Sequence, residues 1–366
     1  MPSIDIIAGA RPNFVKVASI VRAIDARAPD CTLRYRLVHT GQHYDVRMSG
    51  EFFSQLGIPP PHDNLEVGSG TQAEQTAAIM LGYEALLRKQ RSDLCLVVGD
   101  VTSTMACAIV AQKAGVRVAH VEGGIRSGDW SMPEEINRLV TDAVTNVFFT
   151  TSEVANENLR RSGVPEAGIF FVGNTMIDTL LTQMDRLRPP PFWDSAGLRA
   201  GSYFVLTLHR PANVDGSQRL ASTLAAVAGA CRDFPVVFPV HPRTAITLST
   251  LPERPATLII AEPQPYLEFN YLVKHAKGVI TDSGGITEEA TVMGVPCFTL
   301  RDTTERPETI TVGTNQLVGA SAAGLLPALD KLFAGAAKKG GIPDKWDGKT
   351  GERIVAVLEN LLTAGA

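Results

Sequence analysis

Apolar residues along this chain fall in short runs rather than long blocks. The first six runs are Ile4–Ala8, Tyr35–His39, Leu94–Val98, Val116–Val121, Asn146–Thr150 and Gly168–Val172. Five more follow: Tyr203–Leu208, Val236–Val240, Thr257–Ile260, Gly278–Thr281 and Val295–Leu300. Polar residues follow the runs, and then comes a stretch with helical spacing. Short β-branched runs alternating with helices predict βαβ units and parallel sheets. Eleven strands are many for one sheet and comfortable for two.

At about 150 residues per domain, a chain of 366 residues also suggests two. The best break follows Val172, because the stretch RLRPPPFWDSAGLRAGS holds a triple proline that no helix continues through. The expected domains are therefore residues 1–172 and 173–350. The tail from about 351 to 366 places Ile354, Val357, Leu358, Leu361 and Leu362 on one helix face. That pattern alone lets it pack on either domain.

Composition narrows the class of molecule. Charged residues make up 20% and hydrophobic ones 45%, as in ordinary globular chains. The net charge of −4 gives no electrostatic footprint for nucleic acid. No apolar run reaches the length of a membrane span, and the start lacks the basic segment of a signal peptide. The five cysteines are scattered with no CxxC, so they read as small buried residues in a reduced, cytoplasmic protein. No spacing supports a metal site, and no glycine-rich fingerprint of the Walker or dinucleotide type is present.

In open α/β sheets ligands bind beyond the carboxyl ends of the strands, and the polar clusters of this chain lie there. Arg11 and Lys16 flank a strand-to-helix turn that suits phosphate. TDSGGI places Ser283, Gly284 and Gly285 at a helix start, where backbone N–H groups favour a pyrophosphate. Glu288 and Glu289 follow in the first turn and suit either the helix dipole or ribose hydroxyls. Phe269 suits a nucleobase or the core. His209, Arg210 and His241 follow strands and suit phosphate contact or proton transfer. Asp100 and Glu122 end strands, and Glu134 and Glu135 sit just after Pro133, which opens a helix. Carboxylates that converge on one sheet edge raise one another's pKa, which divides them between acid and base roles.

The motifs GARPNFVK, HTGQHYD, GDVTST, HVEGGIRSGDWSMPEEINR, TLHRPANVD, PVHPRT and TDSGGITEEATVMGVPCFTLRDTTERPET occur in that order. Together they resemble the non-hydrolysing UDP-N-acetylglucosamine 2-epimerases from about residue 4 to residue 318. The resemblance implies an α/β fold of two Rossmann-like domains facing a cleft, like the glycosyltransferases of the B type. It brings the C-terminal helix back to the first domain. It implies reversible conversion of UDP-N-acetylglucosamine to UDP-N-acetylmannosamine without cofactor or metal, by anti elimination of UDP and syn re-addition. Asp100, Glu122, Glu134 and His209 match catalytic positions. Arg11, Lys16, Gln42, Arg138, Arg210, His241, Phe269, Ser283, Gly284, Gly285 and Glu289 match substrate-binding ones. A homodimer and a role in supplying polysaccharide precursors come with the family.

Three departures stand out. Asn13 occupies the place of an acid, HRREN reads HRPAN, and QHRQ reads Gln42, His43, Tyr44, Asp45. The rival outcomes are a modified UDP-2-acetamido sugar, hydrolysis to UDP and N-acetylmannosamine, a glycosyltransferase, and a silent sugar-nucleotide sensor.

Overall fold

The computed structural model describes residues 1–27, 31–41, 53, 55–214 and 216–363. The chain separates into two compact units, Met1–Thr182 with Asp344–Ala366, and Gln183–Pro343.

Among the described residues the first unit is built on seven parallel strands: β1 (Ser3–Ala8), β2 (Arg34–His39), β3 (Asp63–Asn64), β4 (Leu94–Val98), β5 (Arg117–Val121), β6 (Val147–Thr150) and β7 (Ile169–Phe171). Their order across the sheet is β3-β2-β1-β4-β5-β6-β7. The second unit has six: β8 (Phe204–Thr207), β9 (Val236–Pro239), β10 (Leu258–Ala261), β11 (Gly278–Thr281), β12 (Cys297–Thr299) and β13 (Asn315–Leu317). They are also all parallel, in the order β10-β9-β8-β11-β12-β13. Every one of the eleven apolar runs coincides with a strand to within a residue or two at either end. β3 and β13 are additional, and both are short, polar edge strands.

Helices cover both faces of a parallel sheet, so strand residues of either parity are buried. Phe204 and Leu206 face one core of the second unit, while Tyr203 and Val205 face the other. In the first unit Ile7, Val38, Val97 and Val118 pack beneath helices Gln72–Lys89 and Thr102–Lys113. The five cysteines are free and buried.

The first unit extends past Val172, because helix Thr175–Gln183 is anchored there. Thr179 Oγ1 donates to the Val15 carbonyl at 2.7 Å, and Asp178 accepts the Gly351 N–H at 2.7 Å. The second of these bonds caps the C-terminal helix, Thr350–Thr363, which packs on helix Arg11–Ala26. The two backbones approach so closely that a Cβ at Gly351 would lie 2.5 Å from the Ser19 carbonyl oxygen. Only glycine fits there. Replacing Gly351 with valine is expected to cost about 1–3 kcal/mol through overpacking. Thermal unfolding measures this as a midpoint lowered by several degrees.

Candidate active site

In both sheets the strand order reverses beside the first strand. Crossovers to either side of it part there and leave a crevice at the carboxyl ends. In the first unit this point lies between β1 and β4, and in the second between β8 and β11. The residues after those four strands carry most of the polar groups singled out in the sequence.

In the first unit, helix Arg11–Ala26 starts directly after β1. Asn13 ties its first turn to β4 by donating from Nδ2 to the Val98 carbonyl at 2.8 Å, and its Oδ1 accepts the Ala10 N–H at 3.2 Å. A carboxylate at that place could accept but not donate. One turn on, Lys16 reaches Glu122 with Nζ–Oε2 at 2.8 Å, and both side chains are buried. Glu122 follows β5 and holds a left-handed backbone, φ +71°. For a residue with a Cβ that conformation costs about 1–3 kcal/mol, so surrounding bonds must hold it. Its N–H donates to the Phe149 carbonyl at 2.9 Å, and the Lys16 pair holds the side chain. Removing one partner of a buried ion pair costs roughly 3–5 kcal/mol.

Asp100 follows β4 by two residues. Arg138, from helix Pro133–Ala143, reaches its Oδ2 with Nη2 at 2.5 Å and Nε at 3.1 Å. Arg138 is itself held by Glu135 through Nη1 at 2.7 Å. The Glu135 carboxylate also accepts the Ser127 N–H and hydroxyl at 2.9 Å and the Gly128 N–H at 3.0 Å. Burial would raise this carboxyl, but the Ser127 and Gly128 N–H groups and Arg138 outweigh it and hold it below the usual carboxylate range. Glu134 takes a different path. It is half-buried and lines a cavity of about 170 Å³ with Asp100, Ala10, Gln72, Thr102 and Asn137. The two neighbouring acids are thus sorted by the helix: Glu135 orients the arginine and Glu134 faces open space. The acids are not simply crowded against one another as the sequence suggested. Asp100 and Glu122 each meet a cation from another element.

In the second unit, Asp282 is the organising residue, and it was not singled out in the sequence. It follows β11 and is fully buried. Its oxygens accept the backbone N–H of His209 at 3.2 Å and of Arg210 at 3.0 Å, and the Asn213 amide at 2.9 Å. His209 Nδ1 lies 2.6 Å from Asp282 Oδ1. Burial would raise the Asp282 carboxyl, but the His209 ring, Asn213 and the Arg210 N–H hold it low. With Nδ1 spent on Asp282, the histidine keeps Nε2 for a ligand, and its side chain is 57% exposed. The one available signal was a lone acid directly after the apolar run GVIT.

The helix that starts at Gly284 has Ser283 as its cap. The Ser283 N–H already donates to Thr281 Oγ1 at 2.9 Å. The N–H groups offered to an anion therefore begin at Gly284 and Gly285, a correction to the set read from the sequence. Of the paired acids, Glu288 is committed to Arg306, with Nε–Oε1 at 2.6 Å. Glu289 is the other kind: burial pushes its carboxyl up to about 7, against opposing hydrogen bonds from Tyr266 and Asn270. Phe269 is half-buried and packs on the core of its unit. His241 is exposed after β9. Gln42 lies outside the described residues, as does the side chain of Arg11. Among the described residues no group of three or more His, Cys, Asp or Glu side chains is placed to hold a metal ion, and no helix is long and apolar enough to cross a membrane.

Known proteins resemble this chain in sequence and fold. The profile of the family described as UDP-N-acetylglucosamine 2-epimerase matches residues 25–359. A UDP-N-acetylglucosamine 2-epimerase of Methanocaldococcus jannaschii is 40% identical, over 97% of this chain and 98% of its own. A crystal structure of that organism's UDP-GlcNAc 2-epimerase, in complex with UDP-GlcNAc and UDP, superposes with a TM-score of 0.87 at 39% identity, over 97% of this chain and 99% of that one. A UDP-2,3-diacetamido-2,3-dideoxy-D-glucuronate 2-epimerase of Pseudomonas aeruginosa is also 40% identical, over 86% of this chain and 88% of its own. A UDP-glucosyltransferase of Polygonum tinctorium, 14% identical with a TM-score of 0.57 over 99% of this chain and 93% of its own, shares the fold alone. The two parallel-sheet α/β units are thus of the glycosyltransferase-B-like kind, and the chain belongs to the UDP-N-acetylglucosamine 2-epimerase family.

Proposed function

We propose that this protein interconverts UDP-N-acetylglucosamine and UDP-N-acetylmannosamine without net hydrolysis. The observation that carries the reading is the division of labour between the two switch points. One holds carboxylates against cations, and the other sets the exposed His209, held by the buried Asp282, beside the helix that starts at Gly284.

The C2–H bond of an intact sugar is not appreciably acidic. UDP must therefore leave with or ahead of the proton, through positive charge at C1. Carboxylates stabilise that charge and accept the C2 proton. We assign this work to Asp100, Glu122 and Glu134. Lys16 and Arg138 hold two of these acids and, with Arg11, meet the departing diphosphate. In the second unit the N–H groups of Gly284 and Gly285, with Ser283, His209 and Arg210, keep UDP bound for re-addition. Glu289 in its ionised form accepts the ribose hydroxyls, Phe269 supports the uracil, and Gln42 and His241 complete the substrate-binding set. Anti elimination gives a 2-acetamidoglucal. UDP then re-adds to C1 on the face it left, and the proton is delivered to C2 on that same face, opposite to the one from which it was taken, so the syn addition gives the epimer. A cytoplasmic homodimer supplying polysaccharide precursors is the setting we infer.

A second reading rests on the Pseudomonas aeruginosa relative: the same chemistry on a UDP-2,3-diacetamido uronate. Incubation with UDP-N-acetylglucosamine alone, followed by chromatography, separates the possibilities. The proposal expects the manno-configured UDP-sugar in equilibrium with substrate. Free N-acetylmannosamine with UDP would replace it with the hydrolysing reaction. No change, together with turnover of the diacetamido uronate, would favour the second reading.

Asp100→Asn, Glu122→Gln and Glu134→Gln are each expected to lower kcat by about a hundredfold or more. UDP affinity, measured by calorimetry, should stay within about twofold, because the cations and N–H groups assigned to the diphosphate all remain. Wild-type turnover in all three would refute the assignment.

Glu289 gives a pH signature. A ligand that needs the ionised carboxylate gains affinity as pH rises through 7. Between pH 6 and pH 8 the fraction ionised rises about tenfold, so UDP should bind about tenfold tighter at pH 8. In Glu289→Gln that difference should shrink to whatever the phosphate's own titration supplies. An unchanged slope in the variant would contradict the ribose role.

A further inference from the structure

His120 lies on β5, two residues before Glu122, and is fully buried. Its Nδ1 is 2.7 Å from Asp142 Oδ1, and its Nε2 is 2.8 Å from the carbonyl oxygen of Gly99. Gly99 immediately precedes Asp100. Asp142 Oδ2 accepts the Gly124 N–H at 3.0 Å, two residues after Glu122, and pairs with Arg126 Nη1 at 2.6 Å. Burial would raise the Asp142 carboxyl, but His120 and Arg126 outweigh it and hold it low. It is therefore an acceptor only. Space around the pair is closed: a Cβ at Gly123 would lie 2.9 Å from the Phe148 ring and 3.5 Å from both Asp142 Oδ1 and His120 Nδ1.

Both ring nitrogens thus face acceptors, a carboxylate and a carbonyl. A carbonyl cannot donate, and neither can an ionised carboxylate. We propose that His120 donates from both nitrogens, and that the His120–Asp142 pair is a positioning device that fixes the turn bearing Asp100 and the turn bearing Glu122 in one register. The charged groups around the ring are Asp142 from helix Pro133–Ala143, Arg126 from the loop after β5, and Lys16 and Glu122 beside Gly99. Lys16 and Glu122 pair with each other, and Arg126 pairs with Asp142 beside His120. The inference rests on the acid roles proposed above. It adds residues that touch no reacting atom and act only through the two turns.

The test has two arms. In the ligand-free wild-type chain labelled with ¹⁵N-histidine, the signals of His120, assigned by their loss in His120→Gln, should show hydrogen on both ring nitrogens at neutral pH. A ring with hydrogen on one nitrogen only would overturn the proposal. In the second arm, Asp142→Asn presents one acceptor and one donor to three donors, so it cannot hold His120, Gly124 and Arg126 together. Its kcat is expected to fall about tenfold or more, through lost register, with KM and UDP affinity within about twofold. Unchanged kcat, or an equal loss in UDP affinity, would contradict a positioning role. Should Asp142→Asn fail to fold, His120→Gln provides the same kinetic readout. If the wild-type chain does not act on UDP-N-acetylglucosamine, the functional reading fails, while the NMR arm still decides the donor assignment.

Discussion

Every strand of each sheet runs the same way, and the rest of the structure depends on that constraint. Parallel pairing sends all strand ends to one edge, and the reversal of strand order opens that edge beside β1 and β8. Residues far apart in sequence, Asn13, Gly99 and Glu122 in one unit and Arg210 and Asp282 in the other, become neighbours for this reason alone. No local propensity would bring Lys16 to Glu122 across more than a hundred residues.

Charge placed at such an edge has to be balanced within it. Glu122 and Lys16 are buried together, Asp100 is gripped by Arg138, and Asp282 is surrounded by donors. Each pair constrains geometry as much as it stabilises, since a misplaced partner would leave a charge in low dielectric. The left-handed backbone of Glu122 fits this picture. A strained acid is kept in place by bonds from β6 and from helix Arg11–Ala26, and the bonds around Asp142 close the loop behind it. Chemistry that needs an acid at a fixed distance from a sugar carbon benefits from that rigidity.

Much of this was legible in the residues, and what was not has physical reasons. Eleven strands, the edge strands β7 and β10 among them, announced themselves as apolar runs; where helices bury both faces of a sheet, residues of either parity are apolar. β3 and β13 did not, because Asp63–Asn64 and Asn315–Leu317 are short and polar, so their register is set by a neighbour rather than by their own side chains. The anchoring of residues 175–182 to the first unit was invisible as well. It rests on Thr179 and Asp178 bonding to residues distant in sequence. The acids were found from their position after strands, but their partners were not. Nothing local distinguishes Glu134, which faces a cavity, from Glu135, which turns back on Arg138, or Glu289, whose carboxyl burial pushes up, from the likewise buried Glu288, which is paired with Arg306. Asp282 and His120 were overlooked for the same reason: a polar residue at a strand end reveals its role only through what tertiary structure sets against it.

The central claim is that the acids of the first unit break and remake the bond between C2 of the sugar and its hydrogen while UDP is retained. Running the reaction on UDP-N-acetylglucosamine in D2O and reading the proton and phosphorus NMR spectra tests it most directly. The account predicts a manno-configured UDP-sugar carrying deuterium at C2, with no accumulation of free UDP. A manno product that keeps its original hydrogen at C2 would contradict it.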